Sequence, residues 1–151
     1  MSHLNEAKTR IKNQEAFIRA LCNVTGLDRN QIEVHDEAVR LNGYHKEEVK
    51  HAHILIRQAN TKIPSDIGWE RGEDGYFTAK VDDYDYSWIH GRVVYDRRWQ
   101  AKLQTQYNIE TEKMALDERN IPYICVQDSK GRTQIRAKFV TDPADQYQIN
   151  V

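Results

Sequence analysis

Three of the chain's six histidines crowd into one stretch, His45, His51 and His53 in Tyr44-His45-Lys46-Glu47-Glu48-Val49-Lys50-His51-Ala52-His53. On an extended strand alternate side chains share a face, which aligns His51 with His53. Two imidazoles at that spacing suit Zn²⁺, Fe²⁺ or Ni²⁺, with His35, His45 or a carboxylate such as Glu47 or Glu33 completing the shell. The competing reading is a solvated sheet face opposite Ala52, Ile54 and Ile56. A second group, Asp82-Asp83-Tyr84-Asp85-Tyr86-Ser87-Trp88-Ile89-His90-Gly91, sets paired carboxylates beside a histidine, the materials of general acid–base chemistry or of a hard-cation site. It lacks the alternation and closing Glu of a calcium loop. Tyr84, Tyr86 and Trp88 in a polar connection instead suit a partner-binding surface, because aromatic rings bring contact area at small entropic cost; the alternative is a loop that tucks its rings under a sheet. Arg92, Arg97, Arg98 and Lys102 lie near Tyr95 and Trp99. That grouping can face the phosphates and bases of a small nucleotide or single-stranded nucleic acid, with Tyr95, Arg97, Arg98 and Trp99 as the contacts. The acidic residues that follow, Glu110, Glu112, Asp117 and Glu118, favour a solvated helix face of mixed charge.

Familiar catalytic signatures are absent from the sequence: there is no GxSxG, phosphate-binding loop, GxGxxG or HExxH. No CxxC or Cys/His zinc spacing occurs either. Cys22 and Cys125 sit among apolar neighbours and read as two small buried hydrophobes, with a disulfide or reactive thiol as the alternatives. No catalytic residue and no cofactor can be named from these patterns.

The elements that must carry these groups follow from periodicity. Ala16, Phe17, Ala20, Leu21 and Val24 trace one face of a helix over 13 to 24, with Asn13 available as N-cap and Gly26 just past the end. From 31 to 57 the period changes to two, predicting strands at Ile32 and Val34, at Val39 and Leu41, and at Ala52 to Ile56, the last two separated by Asn42-Gly43. Asp66 to Glu70 and Tyr76 to Val81 predict a hairpin around Arg71-Gly72-Glu73-Asp74-Gly75. Val93 to Asn120 has no Gly or Pro and spaces Trp99, Leu103 and Tyr107 for one long helix or two in sequence, ending before Pro122. Tyr123 to Gln127 and Thr133 to Val140 form a last hairpin about Asp128-Ser129-Lys130-Gly131.

Composition sets the class. Leu, Ile, Val and Phe number 33 of 151 residues, just above the share below which a highly charged chain stays unfolded. No apolar run has the length of a membrane span, and the first residues lack the apolar core of a signal peptide. The expectation is a cytoplasmic or equivalent interior protein without a membrane partner. With 22 basic against 23 acidic side chains, the electrostatic case for nucleic acid is weak. Helix, hairpin strands, long helix and hairpin in that order predict an α+β fold, a single antiparallel sheet with helices packed on one face, over residues 1–140, and a C-terminal tail over 141–151.

Met1-Ser2-His3, Lys8-Thr9-Arg10-Ile11-Lys12, Asp66-Ile67-Gly68-Trp69 leading to Asp74-Gly75-Tyr76, and Leu103-Gln104-Thr105-Gln106-Tyr107 with Lys113 and Leu116 before Ile121-Pro122-Tyr123 carry a resemblance. Through these motifs the chain resembles the hypothetical chloroplast reading frame thirty-five family, a domain of unknown function encoded in algal plastids, cyanobacteria, other bacteria and some phages. The resemblance spans nearly the whole chain. It departs from the family pattern between Val81 and Arg98 and at the His-rich strand. The resemblance implies no catalytic residues; relatives near ATPase genes imply an accessory role in an assembly. The expected function is therefore non-catalytic binding through protein–protein contacts with an unknown partner or as a homo-oligomer. A metal-binding module or metal-dependent enzyme is the first alternative, and a nucleotide or single-stranded nucleic-acid binder the second.

Overall fold

The computed structural model describes residues 4–43, 49–82, 94–138 and 146–150. In chain order the elements are β1 (Leu4–Lys8), α1 (Gln14–Thr25), β2 (Glu33–Arg40), β3 (His51–Ile56), β4 (Ile67–Arg71), β5 (Phe77–Asp82), α2 (Arg97–Glu118), β6 (Tyr123–Gln127), β7 (Thr133–Lys138) and β8 (Gln146–Asn150). The fold is α+β with helices against the sheet, as the sequence predicts. The strands, however, divide into two antiparallel sheets, one of five strands in the order β1-β5-β4-β3-β2 and one of three in the order β6-β7-β8.

Helix α1 begins where Asn13 Oδ1 accepts the Ala16 N–H at 3.1 Å and ends at Gly26, whose φ of 75° lets its N–H reach the Cys22 carbonyl. Its buried face, Ala16, Phe17, Ile18, Ala20 and Leu21, meets the larger sheet. There the register aligns Ile54 with Trp69 and Trp69 with Ala79, so one sheet face is apolar across three strands. Phe17 meets Trp69 edge-on at 5.1 Å and lies tilted on Phe77 at 5.4 Å. Each such buried side chain contributes about 1.5–3 kcal/mol by removal from water.

The opposite face runs Glu6, Lys80, Gly68, Leu55 and Glu33 across the strands. Lys80, 5% exposed, donates to Glu70 at 2.8 Å and to the His51 carbonyl at 3.0 Å. Beside it Leu41, Ala52 and Leu55 form a small apolar patch. Gly68 makes room for that patch, since a Cβ there would lie 2.5 Å from Ala52 Cβ.

Helix α2 is one continuous helix, started by Asp96 accepting the Trp99 N–H at 2.9 Å. It buries two faces: Leu103 and Tyr107 enter the core under α1, whereas Ile109 and Leu116 pack with Ile135 and Ala137 of β7. The Tyr107 hydroxyl accepts the backbone N–H groups of Lys12 at 3.0 Å and Asn13 at 2.9 Å, fixing α2 to the entry of α1. One helix thus links both sheets.

Three local expectations change. The strands expected at Ile32–Val34 and Val39–Leu41 are one strand, β2, with an irregular register between Val34 and Val39. Leu4–Lys8 was not expected to be a strand, because Leu-Asn-Glu-Ala-Lys has no alternation; pairing with β5 supplies the order. Within the expected tail, Gln146–Asn150, where Tyr147 and Ile149 offered a docking contact, pairs with β7 as a strand.

Candidate functional site

The histidine reading meets a broken alternation. Ala52 and Leu55, three residues apart, share one apolar patch, while Ile54 lies in the main core, so the strict period that would align His51 with His53 fails between them. His53 is half-buried and its Nδ1 accepts the Arg71 N–H at 3.0 Å; burial, with Arg71 nearby, lowers its pKa. His51 is exposed. His35 instead bonds Glu33 at 2.9 Å. Among the described residues no three His, Cys, Asp or Glu side chains gather to hold a metal ion. His45 and Glu47 lie outside the described residues.

Glu33 belongs to a different arrangement. Its carboxylate takes Arg57 at both oxygens, 2.7 Å and 3.2 Å, and the Arg57 hydrogen bond, aided by His35, lowers its pKa. Arg57 also reaches Asp66 at 2.9 Å. Asp66 is fully buried and accepts the N–H groups of Asn42 and Gln58, both at 2.7 Å. The chain linking β3 to β4 is tied to β2 by these charges, which explains them as a structural lock.

Of the residues expected to face a nucleotide, Tyr95 and Trp99 enter the main core instead. Their rings meet edge-on at 4.8 Å, Trp99 stacks on Trp69 at 6.4 Å, and the Tyr95 hydroxyl accepts the Lys62 N–H at 3.1 Å. Arg97 and Arg98 remain exposed on the first turn of α2. The structure thus separates the two cations from their expected aromatic platform, because Trp99 lies on the inward face of α2 and Tyr95, ahead of the N-cap Asp96, is buried in the same core. A cavity of about 210 Å³ beside Tyr95 and Trp99 is lined also by Val24, Thr25, Asn60 and Lys62. Tyr84, Tyr86 and Trp88, the expected partner contacts, lie outside the described residues.

The open feature is β6, which with β8 is one of the two outer strands of the smaller sheet among the described residues; β8, Gln-Tyr-Gln-Ile-Asn, is likewise uncharged. The bonds from Lys138 N–H to the Pro122 carbonyl and from Asp128 N–H to the Arg132 carbonyl set the ladder's phase. With β6 and β7 in continuous antiparallel register, the even residues Ile124 and Val126 bond to β7, and Tyr123, Cys125 and Gln127 turn their N–H and C=O groups to the side away from β7, where no described strand pairs. Edge strands normally carry charge, proline or a bulge that discourages pairing. β1 has Glu6 and Lys8, and β2 has Glu33, Asp36, Glu37, Arg40 and an irregular register. Tyr123-Ile124-Cys125-Val126-Gln127 has none of these.

Ile124 is 60% exposed and borders a cavity of about 150 Å³ with Pro122, Tyr123, Arg136 and Lys138. Cys125, expected buried, is exposed and borders a cavity shared with Gln106, Ile109 and Lys113 of α2; Cys22, half-buried, has its thiol pKa raised by desolvation. Burial, with Asp117 nearby, raises the Tyr123 phenol. Sequence reasoning found the β6–β7 hairpin but missed its edge. The available signal was a five-residue run with no charge beside a turn rich in it.

Comparison with protein-family models, curated proteins and solved structures gives no match for this chain. Among the described residues no helix is long and apolar enough to cross a membrane.

Proposed function

We propose that this protein acts by binding another protein chain, as a non-catalytic accessory component of an assembly, inside the cytoplasm or an equivalent compartment. The observation that supports this reading is the unguarded edge of β6, with outward backbone groups beside the exposed Ile124. Strand addition at such an edge obtains affinity from main-chain hydrogen bonds and selectivity from alternate side chains. The resemblance to the reading frame thirty-five family, with its implied accessory role, agrees with this proposal. On sequence grounds Tyr84, Tyr86 and Trp88 add a second contact.

The test uses two substitutions that spare the sheet. Cys125→Pro removes an N–H aimed at the free side and leaves the β6–β7 ladder its donors; Ile124→Lys adds a charge at an exposed position. Affinity capture with wild-type and variant chains should return at least one protein that the wild type holds and both variants lose. Retention of every partner by both variants would remove β6 as the contact.

A further inference from the structure

We infer that the strand accepted by β6 is β6 of a second copy, paired antiparallel about a two-fold axis at Cys125. This inference rests on the strand-addition reading above and names its partner. The first support is the phase of the backbone. Tyr123, Cys125 and Gln127 face outward, so a two-fold axis at Cys125 sets Cys125 opposite Cys125 of the copy and Tyr123 opposite Gln127, each an outward-facing residue meeting another. These are the hydrogen-bonded pairs of an antiparallel ladder, in which both residues exchange N–H and C=O. A centre at Ile124 or Val126 would also set outward residues against outward ones but would pair only three of the five residues, whereas a centre at Cys125 keeps the whole strand from Tyr123 to Gln127 paired.

The second support is charge. A two-fold interface places each residue near its own kind, so any charge on the strand meets a like charge. β6 carries none, and Asp128 just beyond it is held by Arg132 at 2.8 Å within its own turn. β1 and β2, by contrast, put Glu and Lys or several carboxylates on their edges, while β8 is uncharged like β6. The third support is the face away from α2, where the same axis brings Ile124 against Val126 of the copy and Val126 against its Ile124. Pairing would cover the isoleucine that is 60% exposed in one chain and join two three-stranded sheets into one.

The geometry makes Cys125 a reporter. Hydrogen-bonded antiparallel partners have Cα atoms about 5.5 Å apart, within the usual range for a disulfide. The experiment is light scattering of the purified chain, followed by copper–phenanthroline oxidation of wild type, Cys22→Ser and Cys125→Ser. The inference expects twice the 17.8 kDa chain mass, a covalent dimer in wild type and Cys22→Ser, and none in Cys125→Ser. Ile124→Lys and Cys125→Pro, with circular dichroism confirming the fold, should each weaken the dimer at least about tenfold. A monomer at high concentration, or a dimer unaffected by both variants, overturns self-pairing. A wild-type monomer that still holds another protein lost by both variants would overturn self-pairing alone and leave strand addition standing. Loss of no partner by either variant would end both.

Discussion

Tyr107→Phe removes one oxygen and leaves the ring, so its effect isolates the clamp between α2 and the start of α1. That hydroxyl accepts two backbone N–H groups, from Lys12 and Asn13, at 3.0 Å and 2.9 Å, and the ring around it is 7% exposed. Each donor left without its acceptor costs about 1–3 kcal/mol. Lys12 and Asn13 are themselves exposed at the side-chain level, so water partly replaces the lost oxygen and the low end applies. The expected loss is about 2 kcal/mol, or a fall in melting temperature of about 4–8 °C for a chain of this size. Urea unfolding followed by circular dichroism would measure it, with the slope of the transition unchanged. A loss below about 0.5 kcal/mol would show that the hydroxyl does not hold the two elements together. Because α2 also carries the smaller sheet, the same variant should loosen the part of α2 that packs on β7, seen as faster amide exchange in Ile109 to Leu116.

Asp66→Asn keeps the shape of the buried carboxylate but loses its charge and an acceptor for Asn42, Gln58 or Arg57, and should cost about 3 kcal/mol in urea unfolding; a neutral outcome would refute the lock described for the β3–β4 connection. Gly43→Ala should cost at least about 2 kcal/mol, since φ is 95° there and a Cβ would lie 2.5 Å from Ser65 Cα and 2.7 Å from the Pro64 carbonyl; an unchanged melting temperature would contradict that close approach. Acid should act in two stages. His53 has a lowered pKa, so its contribution is complete above the unfolded value near 6.5 and is lost as pH falls through the folded one. Glu15, held at about 2 chiefly by Arg29, and Glu33, lowered by Arg57, lose theirs as pH falls below about 4.5. Urea midpoints against pH should show both stages, and His53→Gln should abolish the first; a first stage that survives in His53→Gln would assign it to another group.

Much of the fold was legible because it is local. Asn13, the face from Ala16 to Leu21 and Gly26 define α1 within one stretch of chain, and the turn residues Gly72 to Gly75 define the β4–β5 hairpin. What stayed hidden depends on distant pairing. Leu4–Lys8 has little pattern of its own and becomes a strand through β5, and Gln146–Asn150, whose Tyr147 and Ile149 alternate with polar residues over only five positions, becomes one through β7. The division into two sheets follows from α2 burying opposite faces along its length, with Leu103 and Tyr107 in one core and Leu116 in the other, which blurs the single stripe a sequence reading seeks. The same effect drew Tyr95 and Trp99 inward and away from Arg97 and Arg98. At β6 the uncharged run was visible, but its position at an edge is a property of sheet order, and neither Ile124 nor Cys125 announces its exposure in the sequence.

The most direct test of the account is amide hydrogen exchange across Ile121 to Asp128 at low and high protein concentration. If β6 is the binding edge and pairs with a copy, the N–H groups of Tyr123, Cys125 and Gln127 exchange freely in dilute protein and become protected at high concentration, while Ile124 and Val126 are protected throughout by β7. Equal and rapid exchange of the three outward amides at every concentration, with and without captured partners, would contradict it.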